Sequence, residues 1–123
     1  MSEVIINELK KKLSFLDCTQ SNIQKTSEEF LNCVKSDETM MEDLVKLWKF
    51  YCLHKQEKLA FIFLANDIIQ NSFFRGLSFH QVFFNHLVEV FPLLYNSLND
   101  KLRKEINSSL RLKIMVLEFI QSN

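Results

Sequence analysis

Four polar side chains interrupt an otherwise apolar run between Lys58 and Ser72: Asn66, Asp67, Gln70 and Asn71. Hydrophobic residues fill the rest of that run, which marks it as a buried element. Asn and Asp compete with helical hydrogen bonds and favour caps and turns. An ionised carboxylate left unpaired in a core is strongly destabilising. The polar set therefore needs a receiver. At about 100° per residue, Phe63, Asp67 and Asn71 align at i, i+4 and i+8, with Asn66, Gln70 and Phe74 beside them. Phe61, Ile62, Leu64, Ala65, Ile68 and Ile69 take the remaining arc. The chemistry is hydrogen bonding and not catalysis, because no second titratable group accompanies Asp67 on the stripe. Two readings are open: a structural network tying this helix to its neighbours, and a groove facing solvent or a ligand. The geometry alone leans slightly to the network.

Other reactive constellations are missing. His54, His80 and His86 have no ligand spacing of the HExxH kind. His86 and Glu89 share a helix face at i, i+3 and read as a surface pair. A single glycine cannot build a phosphate-cradling loop. The three cysteines, Cys18, Cys33 and Cys52, are odd in number and widely spaced, which implies a reducing compartment without a disulfide framework. With no CxxC, no zinc site is expected. The chain is expected to be no enzyme and to need no cofactor or metal.

The elements that must position the stripe are helical. With 123 residues the chain is one domain, residues 1–123, and 47% hydrophobic content supplies a core. One Gly and one Pro are too few for the turns of an all-β chain, so the fold class is all-α. Twelve Phe against one Trp and two Tyr imply a core packed largely on Phe. Formal net charge is zero, so direct nucleic-acid binding is not expected. The opening Met1-Ser2-Glu3-Val4-Ile5-Ile6 is too short and acidic for a signal peptide, and no apolar run is long enough to span a bilayer.

Periodicity predicts a first helix over 4–16 with Ile5, Leu9, Leu13 and Leu16 inward. Asp17 or Thr19 caps a second over 20–34, which buries Ile23, Phe30, Leu31 and Val34. Ser36-Asp37 breaks the pattern and caps a third, with Met41, Leu44, Val45, Trp48 and Tyr51 inward. The polar-striped helix runs 56–71, and 73–77 is a loop. Ser78 with Gln81 forms a capping box for the fifth helix, whose inner face is Phe79, Val82, Phe83, Leu87 and Phe91. Pro92 ends or kinks it, 93–98 makes a further short helix, and Asn99-Asp100 starts the last. Short amphipathic helices on short loops suggest an α-solenoid-like stack.

The run Leu64-Ala65-Asn66-Asp67-Ile68-Ile69-Gln70-Asn71-Ser72 resembles the signature helix of the CTD-interacting domain (CID). Such domains bind the repetitive C-terminal tail of the RNA polymerase II large subunit. Leu9-Lys10-Lys11-Lys12-Leu13-Ser14-Phe15-Leu16 and Thr19-Gln20-Ser21-Asn22-Ile23-Gln24 resemble the family's first two helices. Trp48 fits its tryptophan before the signature, and Phe79, Phe83, Leu87-Val88-Glu89 and Phe91 fit the helix after it. The resemblance covers about residues 5–106 and is nearest to the pre-mRNA-regulating type. It implies a right-handed superhelical stack of about seven or eight helices, akin to VHS and ENTH domains.

It also implies a nuclear, non-catalytic adaptor in transcription, pre-mRNA processing or termination. The tail peptide would lie in a groove lined by the second, fourth and seventh helices, its tyrosine hydroxyl bonded to Asp67. Asn66 and Asn71 match amides that hold the peptide backbone. Phe63 stands where relatives often carry tyrosine. Gln20 and Ile23 match positions on the peptide's other side, and Ile23 fits a core contact equally well. The last helix departs from the pattern. Aligned without gaps, the arginines that read a phosphoserine in many relatives become Ser108 and Val116, and a tryptophan becomes Lys113. Arg111 is the first candidate to replace the phosphate contact, with Lys113 and Arg103 behind it. Phe73-Phe74 replace basic residues after the signature, leaving Arg75 as the nearest cation. The alternatives are a VHS/ENTH-type peptide- or lipid-binding adaptor in membrane traffic and a helical homodimerisation domain joined through Phe73, Phe74 and Phe84.

Overall fold

The computed structural model describes residues 3–108. These form α1 (Glu3–Ser14), α2 (Gln20–Ser36), a 3₁₀ turn (Glu38–Met40), α3 (Met41–His54), α4 (Lys58–Phe74), α5 (Phe79–Ser97) and α6 (Asp100–Ser108). The described residues are thus all-α, as one glycine and one proline require.

Helix α4 is the axis of the packing. It is apolar on most sides and lies chiefly against α5 and α2, while α5 also packs on α3. The largest buried side chains are Trp48, Phe30, Phe61, Phe79 and Phe83. Trp48 meets the Phe83 ring edge-on at 5.0 Å, and its indole N–H donates to the carbonyl of Phe61 at 3.1 Å. That one side chain ties α3 to α4 and α5. Its polar end is satisfied, which a buried indole needs. The Lys58 ammonium donates to the carbonyl of Cys52 at 2.7 Å and closes the α3–α4 corner.

Local chemistry sets the element ends. Asp17 accepts from the N–H and the hydroxyl of Thr19, and Asp37 does the same for Thr39. These repeated Asp-x-Thr turns open α2 and the 3₁₀ turn. Both carboxyls are held below the usual carboxylate range, first by the threonine hydroxyl. Helix α4 ends where Gly76 takes φ +71, so that its N–H reaches the carbonyl of Phe73 and that of Leu77 reaches Ser72. A side chain at Gly76 would strain this reversal.

Several boundaries differ from the sequence reading. Phe73 and Phe74 belong to α4 and not to the loop, because Gly76, two residues later, provides the stop. The Ser78–Gln81 capping box does not form, since Ser78 makes no side-chain cap bond. Ser72 Oγ reaches over from α4 and accepts from the N–H of His80 at 2.9 Å. Pro92 does not end α5, and 93–98 is no separate helix. The helix continues to Ser97, with Leu94 buried beyond the proline and Pro92 itself exposed. Burial of Leu87, Val90 and Leu94 outweighs the hydrogen bond that proline cannot donate. Ile5 is 44% exposed and, with Val4, Cys33 and Met40, lines an open concavity of about 410 Å³ between α1, α2 and the 3₁₀ turn.

Candidate functional site

The polar stripe of α4 starts from a helix with almost no amphipathic bias. Leu59 to Ile62, Leu64, Ala65, Ile68 and Ile69 are buried along its length. Asn66 and Asp67 are buried among them, 0% and 3% exposed. Phe63, Gln70 and Asn71 are half-buried and bound the stripe on its outer side.

Helical spacing pairs these groups along the axis. The Asn71 Nδ2 amide donates to the Asp67 carboxylate at 3.1 Å and to the Asp67 carbonyl at 2.9 Å. The Gln70 Nε2 amide donates to Asn66 Oδ1 at 3.1 Å. Each buried group is thus held by an amide one turn later. Asn66 Nδ2 is buried without a hydrogen-bond partner among the described residues. Such an orphan donor costs about 1–3 kcal/mol, and an acceptor brought to it recovers that energy. A carboxylate can accept about four hydrogen bonds, and the Asn71 side chain is one of the partners that Asp67 holds. The site offers a charged acceptor beside an unmet amide donor. That is the pattern a hydroxyl and a peptide carbonyl would complete together.

Arg75 belongs to the same line, one turn past Asn71. As the C-cap of α4 it donates its backbone N–H to the Asn71 carbonyl. Its guanidinium forms a two-pronged pair with Glu28 of α2, at 3.0 and 2.8 Å. This bond to Glu28 raises the Arg75 guanidinium further above its ordinary range, and the Asp67 charge acts in the same direction. The Glu28 carboxyl is in turn held below its usual range by Arg75. The pair spans α2 and α4 at the end of the stripe.

The remaining expected residues are placed as follows. Gln20 stands exposed as the first residue of α2, and Ile23 is buried in the core at 5% exposure. Arg111 and Lys113 lie outside the described residues. Arg103 is engaged with its own surroundings, donating to the carbonyls of Tyr95 and Asn96. His86 and Glu89 do not pair with each other; each reaches α3 instead, His86 to Glu42 and Glu89 to Lys49, both at 2.9 Å. Phe73 and Phe74 are 58% and 80% exposed, whereas Phe84 is half-buried. Among the described residues no group of three His, Cys, Asp or Glu side chains could hold a metal ion, and no helix is long and apolar enough to cross a membrane.

Sequence reasoning missed Glu28, and with it the small polar face of α2. Thr26 and Ser27 are both 1% exposed and lie between Ile23 and Phe30 on the inward face. Thr26 back-bonds to the carbonyl of Asn22, while Ser27 Oγ is buried without a partner among the described residues. The signal was available: steps of three and four from Ile23 reach Thr26, Ser27, Phe30 and Leu31.

Comparison with known proteins gives one family and two relatives. The family model of the CID domain matches residues 7–112. The mouse and human proteins named "Regulation of nuclear pre-mRNA domain-containing protein 1B" are each 29% identical over 114 residues, 91% of this chain. The chain spans 34% of the length of these relatives. No solved structure matches.

Proposed function

Because the chain belongs to the CID domain family, we propose that it reads the heptad-repeat tail of the RNA polymerase II largest subunit along the Asp67 stripe. It does so as a non-catalytic adaptor in transcription or pre-mRNA processing. The relatives' name, regulation of nuclear pre-mRNA, supports a nuclear setting for the same role. The observation that carries the reading is the buried Asn66 side-chain NH2, without a hydrogen-bond partner among the described residues, next to the Asp67 acceptor.

Docking follows from these positions. The peptide's tyrosine hydroxyl donates to Asp67, and a peptide carbonyl accepts from Asn66. Asp67 is nearly covered, so the half-buried amides of Gln70 and Asn71 swing outward as the peptide arrives. Their bonds to Asn66 and Asp67 hold the site in order until then. Exchange of one hydrogen bond for another keeps the net gain small, and the few anchors imply modest affinity. Repeats in the tail, or a second copy of the protein, would add avidity. The family match leaves the VHS/ENTH-type alternative without support.

The test is a titration of wild type and Asp67→Asn with a two-repeat tail peptide, followed by calorimetry. A hydrogen bond to a charged partner is worth roughly 1.5–3 kcal/mol. The variant should therefore bind about ten- to a hundredfold more weakly. Wild type failing to bind any tail peptide, phosphorylated or not, removes the proposal.

A further inference from the structure

Phe63, Asp67, Asn71 and Arg75 follow one another at steps of four, so the ligand stripe ends on a guanidinium. That guanidinium is already occupied. Two of its N–H groups are spent on the Glu28 carboxylate, at 3.0 and 2.8 Å, in the fork geometry that also binds phosphate. Glu28 comes from α2, the helix packed across from the stripe. Resting on the tail-reading proposal above, we propose that Glu28 is a specificity residue, an internal anion that occupies Arg75 and makes this end of the groove discriminate against phosphate.

Three observations bear on it. The pair is two-pronged, so a phosphate cannot take the same donors while Glu28 stays. The Arg75 backbone is fixed by its C-cap bond and by the turn at Gly76, so the side chain always starts from the same place beside Glu28. Both side chains are partly open to solvent, 43% and 49% exposed, so an anion in solution can compete for the site. Exchange must displace one negative charge with another next to the Asp67 carboxylate, whose charge is felt at Arg75. A neutral hydroxyl at the same tail position meets no such opposition. Solvent exposure keeps the effect small, about two- to fivefold in affinity.

The experiment has two arms on wild type, Glu28→Gln, Arg75→Gln and the double variant. In the first, on wild type and Glu28→Gln, the two proteins that keep Arg75, inorganic phosphate is titrated and followed by NMR at the Arg75 side-chain Nε–H, a readout independent of any peptide. Glu28→Gln should strengthen phosphate binding about two- to fivefold. In the second, tail peptides without phosphate, or with phosphate on the first or second serine after the tyrosine, are compared by calorimetry. Glu28→Gln should raise the phosphorylated-to-unphosphorylated affinity ratio for one of them by a similar factor, and the gain should vanish in the double variant. An unchanged phosphate arm, or a peptide ratio that Glu28→Gln leaves where it was, overturns the gate even when the peptides bind. If the phosphate arm responds and no peptide binds, the gate stands and the tail-reading proposal falls. Circular dichroism of each variant establishes that these surface changes leave the fold intact.

Discussion

Helix α4 borders two unlike regions. On the α3–α5 side, Trp48, Phe79 and Phe83 close a core in which the buried indole donates across to the Phe61 carbonyl. Along the Asp67 stripe, buried polar groups are held by side chains one turn away on the same helix, and the Asn66 NH2 has no hydrogen-bond partner among the described residues. The indole bond of the first region runs between helices, whereas the amide pairs at Asn66 and Asp67 run within α4, and the stripe meets α2 only further on, where Arg75 pairs with Glu28. Interhelical contacts secure the fold. Intrahelical amide pairs can be exchanged for ligand contacts without loosening the packing. Under the proposed function, stability rests on one side of α4 and recognition falls to the other.

That division can be broken most forcefully at Trp48. Trp48→Ala should cost about 3–5 kcal/mol in urea unfolding, through the cavity it leaves, with no change in the tail affinity of the folded fraction. Asp67→Asn should do the reverse. Stability should change by less than about 1 kcal/mol, because the amide relieves a buried charge as it weakens a bond, while calorimetry should show the ten- to hundredfold loss given above. Pro92→Ala should raise stability by about 1–2 kcal/mol, by restoring a helical donor at an exposed position, and leave binding untouched. Thiol labelling sharpens the picture further. Burial pushes the Cys52 thiol up to about 12, so under native conditions at pH 8 it should react last, after exposed Cys18 and then Cys33.

The smallest effect is that of pH on Glu28. Its carboxyl is lowered in the folded state, so the stability it contributes is present above its unfolded value and is lost as pH falls through the lower folded one. Unfolding midpoints of wild type and Glu28→Gln should therefore converge below pH 4.5, the ordinary glutamate value. Midpoints that stay equally separated down to that acid range would contradict the Arg75 pairing.

The helices were legible because their periodicity is strong and turn residues are scarce. Leu9, Leu13, Phe30, Leu44 and Trp48 fall inward as spacing predicts. Boundaries were less legible where tertiary contacts override local signals. Pro92 reads as a break, yet the buried face on both sides of it keeps α5 whole. Ser78 reads as a cap, yet the bond comes from Ser72, six residues earlier in the chain. In the candidate site, the pairing of Asp67 with Asn71 is implicit in i, i+4 spacing. The Glu28–Arg75 fork joins residues far apart in sequence, and nothing local to either announces it.

The most direct measurement is an NMR titration of the unphosphorylated tail peptide that follows the side-chain amide groups of Asn66, Gln70 and Asn71. Recognition at the stripe predicts that all three shift together, with the Asn66 signal moving toward that of a hydrogen-bonded donor. Shifts confined to Val4, Ile5, Asn32 and Cys33 around the α1–α2 concavity, with the three amides unmoved, would contradict it.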